Sequence, residues 1–221
     1  MDLAIIARCL GGLTLILAAA ALAPLALAIL RGEALLPWLT MAGASCAAGA
    51  ALWWGGRRAQ PERLRLREGM AITVLVWVLG ALLGGIGICL AAPRCSYAAG
   101  VFEAMSGLTT TGASVFGSEA VGSLSQQPHA LLLWRAVLQC VGGVGITVIG
   151  LALLPLLVSG AGFQLYRAEV TGLNADRLAP RLIDTTRILV GLFIALVLSL
   201  TVVLLLCGCG TLDAFCHAAG A

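Results

Sequence analysis

Five long stretches of this chain carry no charged residue: 9–30, 34–56, 69–93, 136–166 and 188–212. A helix crossing the hydrocarbon of a bilayer needs about 20 apolar residues, and every stretch reaches that length. Only 10% of the residues are charged while 61% are hydrophobic, a balance far from that of a soluble domain. Backbone N–H and C=O groups in lipid must be satisfied within the segment, so each stretch is predicted as a helix. The expected fold class is therefore an all-α polytopic membrane protein with five transmembrane helices. The first stretch follows Arg8 and has alanine-rich sequence around Pro24, as a signal peptide would. Its apolar run exceeds the roughly 7–15 residues of a signal core, which predicts an uncleaved span.

Basic residues set the orientation. The chain has no lysine, and its 13 arginines are unevenly placed. Arg8 precedes the first stretch, Arg57, Arg58, Arg63, Arg65 and Arg67 follow the second, and Arg167, Arg177, Arg181 and Arg187 follow the fourth. The opposite face holds only Arg31, Arg94 and Arg135. By the positive-inside rule the amino terminus is cytoplasmic. A net charge of +3, spread along the chain, is too small to suggest a nucleic-acid partner, and none is expected. The arginine loops are topology determinants that also attract anionic lipid headgroups.

One polar island interrupts this pattern. Residues 102–114 read Phe-Glu-Ala-Met-Ser-Gly-Leu-Thr-Thr-Thr-Gly-Ala-Ser. If residues 98–118 crossed the membrane, every later segment would change sides and the arginine bias would collapse. Residues 97–108 would also give only about 18 Å of helix, too short to span. A short helix is thus predicted to descend from the external side and an extended segment to return there. Non-helical backbone at such depth is tolerated only when buried in protein or facing a water-filled cavity. Gly112 admits backbone angles closed to other residues. The three threonines are stiff at χ1 and carry a hydroxyl that secures a strand or adds an oxygen ligand. Exposed carbonyls there suit a weakly hydrated monovalent cation. Ser and Thr serve equally as packing glue between membrane helices, so the run alone leaves both readings open.

Other residue patterns carry less. The eight cysteines sit mostly in apolar runs and read as small hydrophobes, and Cys207-Gly208-Cys209 lacks the spacing of a metal knuckle. Gly142-Gly143-Val144-Gly145 has no lysine of a phosphate loop and reads as close packing. Gly80 and Gly84 form a small-xxx-small pair that permits a close helix crossing. Ala104-Met105-Ser106-Gly107 invites an intramembrane serine hydrolase reading, but the two histidines, His129 and His217, lie outside the spans where a base is needed. No enzymatic activity is expected. Glu103 falls near membrane depth, where a carboxylate is costly and needs a partner; Arg135 at the start of the fourth span is the candidate.

Several motifs together resemble a known family. The island at 102–114 is similar to the first pore loop of the Trk/Ktr potassium-uptake family. Trp134-Arg135, then Gln139 followed by Gly142-Gly143-Val144-Gly145-Ile146, resembles the segment after that loop. Gln164-Leu165-Tyr166-Arg167-Ala168-Glu169, with Gly172, resembles the cytoplasmic signature of the TrkH/TrkG branch, and Arg67-Glu68-Gly69 also fits. The resemblance implies four helix–pore loop–helix repeats around one pathway, preceded by two extra spans. Residues 1–56 would be the extra pair, 57–68 a basic cytoplasmic loop, 69–166 the first repeat, 167–187 a second cytoplasmic loop and 188–221 the beginning of a second repeat. Thr211-Leu212-Asp213-Ala214-Phe215-Cys216-His217-Ala218 resembles the start of its pore helix. The resemblance implies potassium uptake, with filter ligands at Thr109, Thr110, Thr111 and Gly112 and the ion at Thr110 and Thr111. Glu103, Ser106, Gly107 and Arg135 would support the loop. It further implies symport, a bacterial inner-membrane location, a homodimer and a TrkA-like nucleotide-binding regulatory subunit on the cytoplasmic face; no cofactor is expected, potassium being substrate. One loop supplies a quarter of the ligand shell, so the chain is expected to act as part of a larger transporter. The alternative is a non-conducting fragment or membrane interaction module.

Overall fold

The computed structural model describes residues 1–59, 66–117, 122–158 and 175–221. Helix α1, Leu3–Ala20, starts where Asp2 accepts the N–H groups of Ala4 and Ile5, and α2, Leu22–Arg31, continues it through Ala21 until Gly32 turns left-handed. Helix α3, Leu36–Gly55, begins with Pro37 in its first turn, where the missing N–H costs nothing. It runs back along α1 with almost no space between the backbones. A Cβ on Gly11 would stand 2.5 Å from the Trp53 nitrogen, and one on Gly56 2.5 Å from that of Arg8.

Helices α4, Leu66–Ala91, α5, Tyr97–Leu108, and α6, His129–Val158, form the next unit. Helix α7, Ala175–Leu206, then leads to α8, Thr211–Gly220, which packs on α6 and buries Ala214, Ala218 and Ala219. All regular structure among the described residues is helical apart from an isolated bridge at Phe116. Among the described residues, four segments are long and apolar enough to cross a membrane: Leu3–Arg31, Arg67–Ala91, His129–Leu151 and Asp184–Leu206. Helix α3 has the length, but alanine, glycine and tryptophan make it less apolar than these four. The fourth predicted stretch starts earlier than its uncharged run, because α6 already begins at His129 and carries Arg135 inside it.

Packing fixes where α5 goes. Along its length Tyr97 donates to the Leu82 carbonyl at 2.9 Å, Gly100 lies against Gly85, Ala104 against Gly84 and Leu108 against Gly80. Gly80 is eleven residues from the end of α4, so α5 descends about 17 Å alongside it. On the other side its last residue meets Gly142, thirteen residues into α6. Since α4 and α6 run antiparallel, with the Trp134 indole donating to the Gly84 carbonyl at 3.2 Å, chain entry and exit lie at the same end. The segment after α5 thus runs back to the end of the bundle from which α5 starts. The core sits at that end: Trp38 of α3 meets Trp134 of α6 edge-on at 6.4 Å, packed with Met41, Ile88, Ala104 and Leu131.

The glycines that permit this crossing are only partly those singled out by spacing. Gly84 makes an ordinary contact, whereas a Cβ on Gly85 would stand 2.7 Å from the Val101 nitrogen and one on Gly100 2.6 Å from the Gly85 carbonyl oxygen. The tightest approach is therefore Gly85 on Gly100. Arg63 and Arg65, and the Gln164–Gly172 signature including Arg167, lie outside the described residues.

Candidate functional site

Helix α5 ends because its last backbone groups are taken by its own side chains and by the turn that follows. Thr109 donates both its N–H and its hydroxyl to the Met105 carbonyl, each at 2.8 Å. The next donors close on the same last turn: Thr110 N–H reaches the Gly107 carbonyl at 3.0 Å and Thr111 N–H that of Ser106 at 2.9 Å. The hydroxyls of Thr109 and Thr111 lie 2.8 Å apart. Thr110 has φ 54° and Gly112 φ 74°, so left-handed residues flank Thr111. A β-branched residue in the left-handed region is an outlier costing roughly 1–2 kcal/mol, which the surrounding bonds must offset.

The returning strand is held by two anchors. Ser106 donates its hydroxyl to the Ala113 carbonyl at 2.6 Å. Glu103, only 2% exposed, receives the Ser114 hydroxyl on Oε1 and the Val115 N–H on Oε2, both at 2.9 Å. Arg135 of α6 completes the carboxylate's surroundings, its Nε 2.5 Å from Oε1. The guanidinium also lies 5.7 Å from the Phe116 ring centroid. A buried charge is tolerable only when paired and hydrogen-bonded, and Glu103 has both. Gly107 contributes space, since a Cβ there would come 3.1 Å from that of Leu138. Gly142 does more: a Cβ there would run into the Leu108 carbonyl, so this glycine lets α6 touch the end of α5.

Thr110, Thr111 and Gly112 are exposed, and Gly112 lines an open cleft of about 780 Å³. Its walls include Gly112, Arg135 and Gln139 on one side and Asp213, His217 and Gly220 of α8 on the other. The turn that leads to Gly112 at its wall follows the carbonyl-bearing terminus of α5. Such a terminus carries about half a negative charge, which favours a cation. Arg135 would oppose that field, but Glu103 beside it neutralises the charge. No group of three or more His, Cys, Asp or Glu side chains suited to a metal ion occurs among the described residues. At the turn itself the oxygens are backbone carbonyls and threonine hydroxyls, the kind of group that suits a hard cation.

The structure thus brings together Glu103, Ser106, Gly107, Arg135 and the 109–112 turn. Spacing alone missed Ser114, Val115 and Phe116 as the strand's holding points, the left-handed Thr110, and the pairing of Gly85 with Gly100. Ser114 stands eleven residues after Glu103, a separation that means contact only if the chain reverses between them.

Comparison with known proteins sharpens this picture. The family model described as TrkH, cation transport protein, matches residues 39–218. The chain is 39% identical over 173 residues to the Trk system potassium uptake protein TrkH of Salmonella typhimurium, covering 77% of this chain and 34% of that protein. It is 36% identical over 215 residues to TrkH of Vibrio parahaemolyticus, covering 96% and 43%. The crystal structure of the potassium transporter TrkH from Vibrio parahaemolyticus superposes with a TM-score of 0.80 at 29% identity, covering 99% of this chain and 42% of that one. The chain spans less than half the length of these relatives.

Proposed function

The chain belongs to the TrkH family of cation transport proteins, and from that membership we propose that it takes part in potassium uptake across the bacterial inner membrane. In this reading α5 is a pore helix and the turn at Thr109, Thr110, Thr111 and Gly112 is one filter segment. Potassium, as substrate, is held by their carbonyls, chiefly at Thr110 and Thr111. The observation that carries the reading is the left-handed pair Thr110 and Gly112 at the buried end of a half-depth helix. Strained backbone at membrane depth is kept where it lines a pathway. The exposure of residues 110–112 means that a closed cage needs oxygen ligands from further filter segments.

The rest of the arrangement follows the same reading. Helices α1–α2 and α3 are the two extra spans, α4 and α6 flank the first filter, and α7 with α8 opens the second repeat, giving five spans in all. The amino terminus is cytoplasmic, as the arginine bias supports. A TrkA-like nucleotide-binding subunit docks on that face, and the assembled transporter is a homodimeric symporter.

The test is a chimaera in which residues 1–221 replace the matching part of Vibrio parahaemolyticus TrkH, expressed in a cell lacking other potassium uptake. Growth at low potassium is expected from the chimaera and not from its Gly112→Asp form. Equal growth of both would exclude the filter assignment. The 221-residue chain alone is expected not to restore growth.

A further inference from the structure

At the end of the bundle that carries Met1, two tryptophans on neighbouring positions of α3 stay exposed, Trp53 at 45% and Trp54 at 68%. Each has an arginine on its ring. The guanidinium carbon of Arg8 lies 5.2 Å from the Trp53 centroid, and that of Arg57 lies 4.6 Å from the Trp54 centroid. The backbone builds the first pair, since Gly56 allows the α1–α3 crossing that sets Arg8 beside Trp53. Arg8 is held further by donating from Nη1 to the Ala59 carbonyl at 3.4 Å.

Among the described residues, the acidic side chains at this end are occupied elsewhere. Asp2 caps α1, and Glu68 is buried, with Oε1 receiving the Asp2 N–H at 3.2 Å and lying 3.8 Å from the Met1 amino group. Arg57, Arg58 and Arg67 are exposed there, without a carboxylate partner among the described residues. The described residues thus form a basic, aromatic rim on which Asp2 and Glu68 are already engaged.

We propose that this rim is a binding site for the phosphate headgroup of an anionic phospholipid. The inference rests on the membrane-spanning reading of the helices and uses a readout independent of transport. From Leu36 to Trp54, α3 rises about 27 Å, close to the roughly 30 Å of a hydrocarbon core, so the Trp54 ring falls at the interface. Stacking on an indole covers one face of a guanidinium and leaves its N–H edge available for bidentate contact with phosphate oxygens. A zwitterionic headgroup offers the same phosphate but brings a cation that the arginine cluster repels.

Native mass spectrometry of the purified 221-residue chain, equilibrated with equimolar phosphatidylglycerol and phosphatidylcholine, tests the site. Preferential retention of phosphatidylglycerol is expected. Arg57→Gln should lower that retention about fivefold, the effect of one arginine near an anionic surface. Trp54→Leu, which keeps every charge, should also lower it, whereas Arg94→Gln at the opposite end should not. Equal retention of the two lipids, unchanged retention in Arg57→Gln or in Trp54→Leu, or an equal loss in Arg94→Gln would overturn the proposal. So would displacement of the lipid by millimolar inorganic phosphate, which would mark a general anion site.

Discussion

Glu103 and Arg135 form an ion pair at 2.5 Å in which the Glu103 side chain is fully enclosed. The same carboxylate holds the returning strand through Ser114 and Val115. One buried group therefore ties α5, the strand after it and α6 together, and fixes the turn at Thr109–Gly112 between them.

Removing either partner should be costly because the other is left as a poorly compensated charge. Glu103→Gln and Arg135→Gln are each expected to destabilise the detergent-solubilised chain by about 3–5 kcal/mol. The double variant should lose less than the sum, with a coupling of roughly 1–3 kcal/mol by thermal or denaturant unfolding. Additive losses would show that the pair does not act as a unit.

Gly142→Ala should be destabilising by at least about 1–3 kcal/mol, since its methyl would meet the backbone of Leu108. Gly150→Ala in the same helix meets nothing within 4 Å and is expected to be neutral or stabilising by up to about 1 kcal/mol. Thermal unfolding of the two variants side by side separates close packing from helix propensity.

The two left-handed positions of the turn should respond in opposite directions. Gly112→Ala has open space around it but must adopt φ 74°, at a cost of about 1–2 kcal/mol. Thr110→Gly relieves the same strain at φ 54° and should leave stability unchanged or slightly raised, because added freedom in the unfolded chain partly offsets the gain. In the chimaeric transporter both are expected to weaken discrimination between potassium and sodium, read as growth inhibition by sodium at low potassium.

At the far end of the bundle Glu33 clamps the start of α6. Its carboxylate accepts the N–H groups of His129 and Ala130 at 2.8 and 3.0 Å and lies 3.0 Å from His129 Nδ1. Burial alone would raise its pKa, but these hydrogen bonds and the His129 contact outweigh it and lower the value. A lowered pKa means that the clamp stabilises fully above the ordinary glutamate value of about 4.3 and is lost as pH falls through the folded-state value below it. Acid unfolding should thus show a contribution below about pH 4 that Glu33→Gln removes.

Much of the site could be read from residue order. A short helix over 97–108 follows from length and from the polar run after it, and α5 has the bounds Tyr97–Leu108. Gly112 in a left-handed turn follows from its lack of a Cβ. The partner of Glu103 was narrowed to Arg135 by depth alone. Thr110 is different: nothing in a threonine run says which member takes a positive φ, because that depends on which carbonyls of the last helical turn are free to receive its neighbours. Ser114 and Val115 were likewise illegible as carboxylate donors.

The sequence by itself determined an all-helical chain with long apolar spans and a polar loop following a short helix. Hydropathy and charge act locally, against a solvent whose preferences hold at every position, so they can be read residue by residue. Tertiary structure alone decided which glycines let backbones touch, where Trp134 and Trp38 meet, and how Glu103 gathers donors from the strand and from α6. Those outcomes depend on separations of a few tenths of an ångström between segments distant in sequence, and no local preference encodes them.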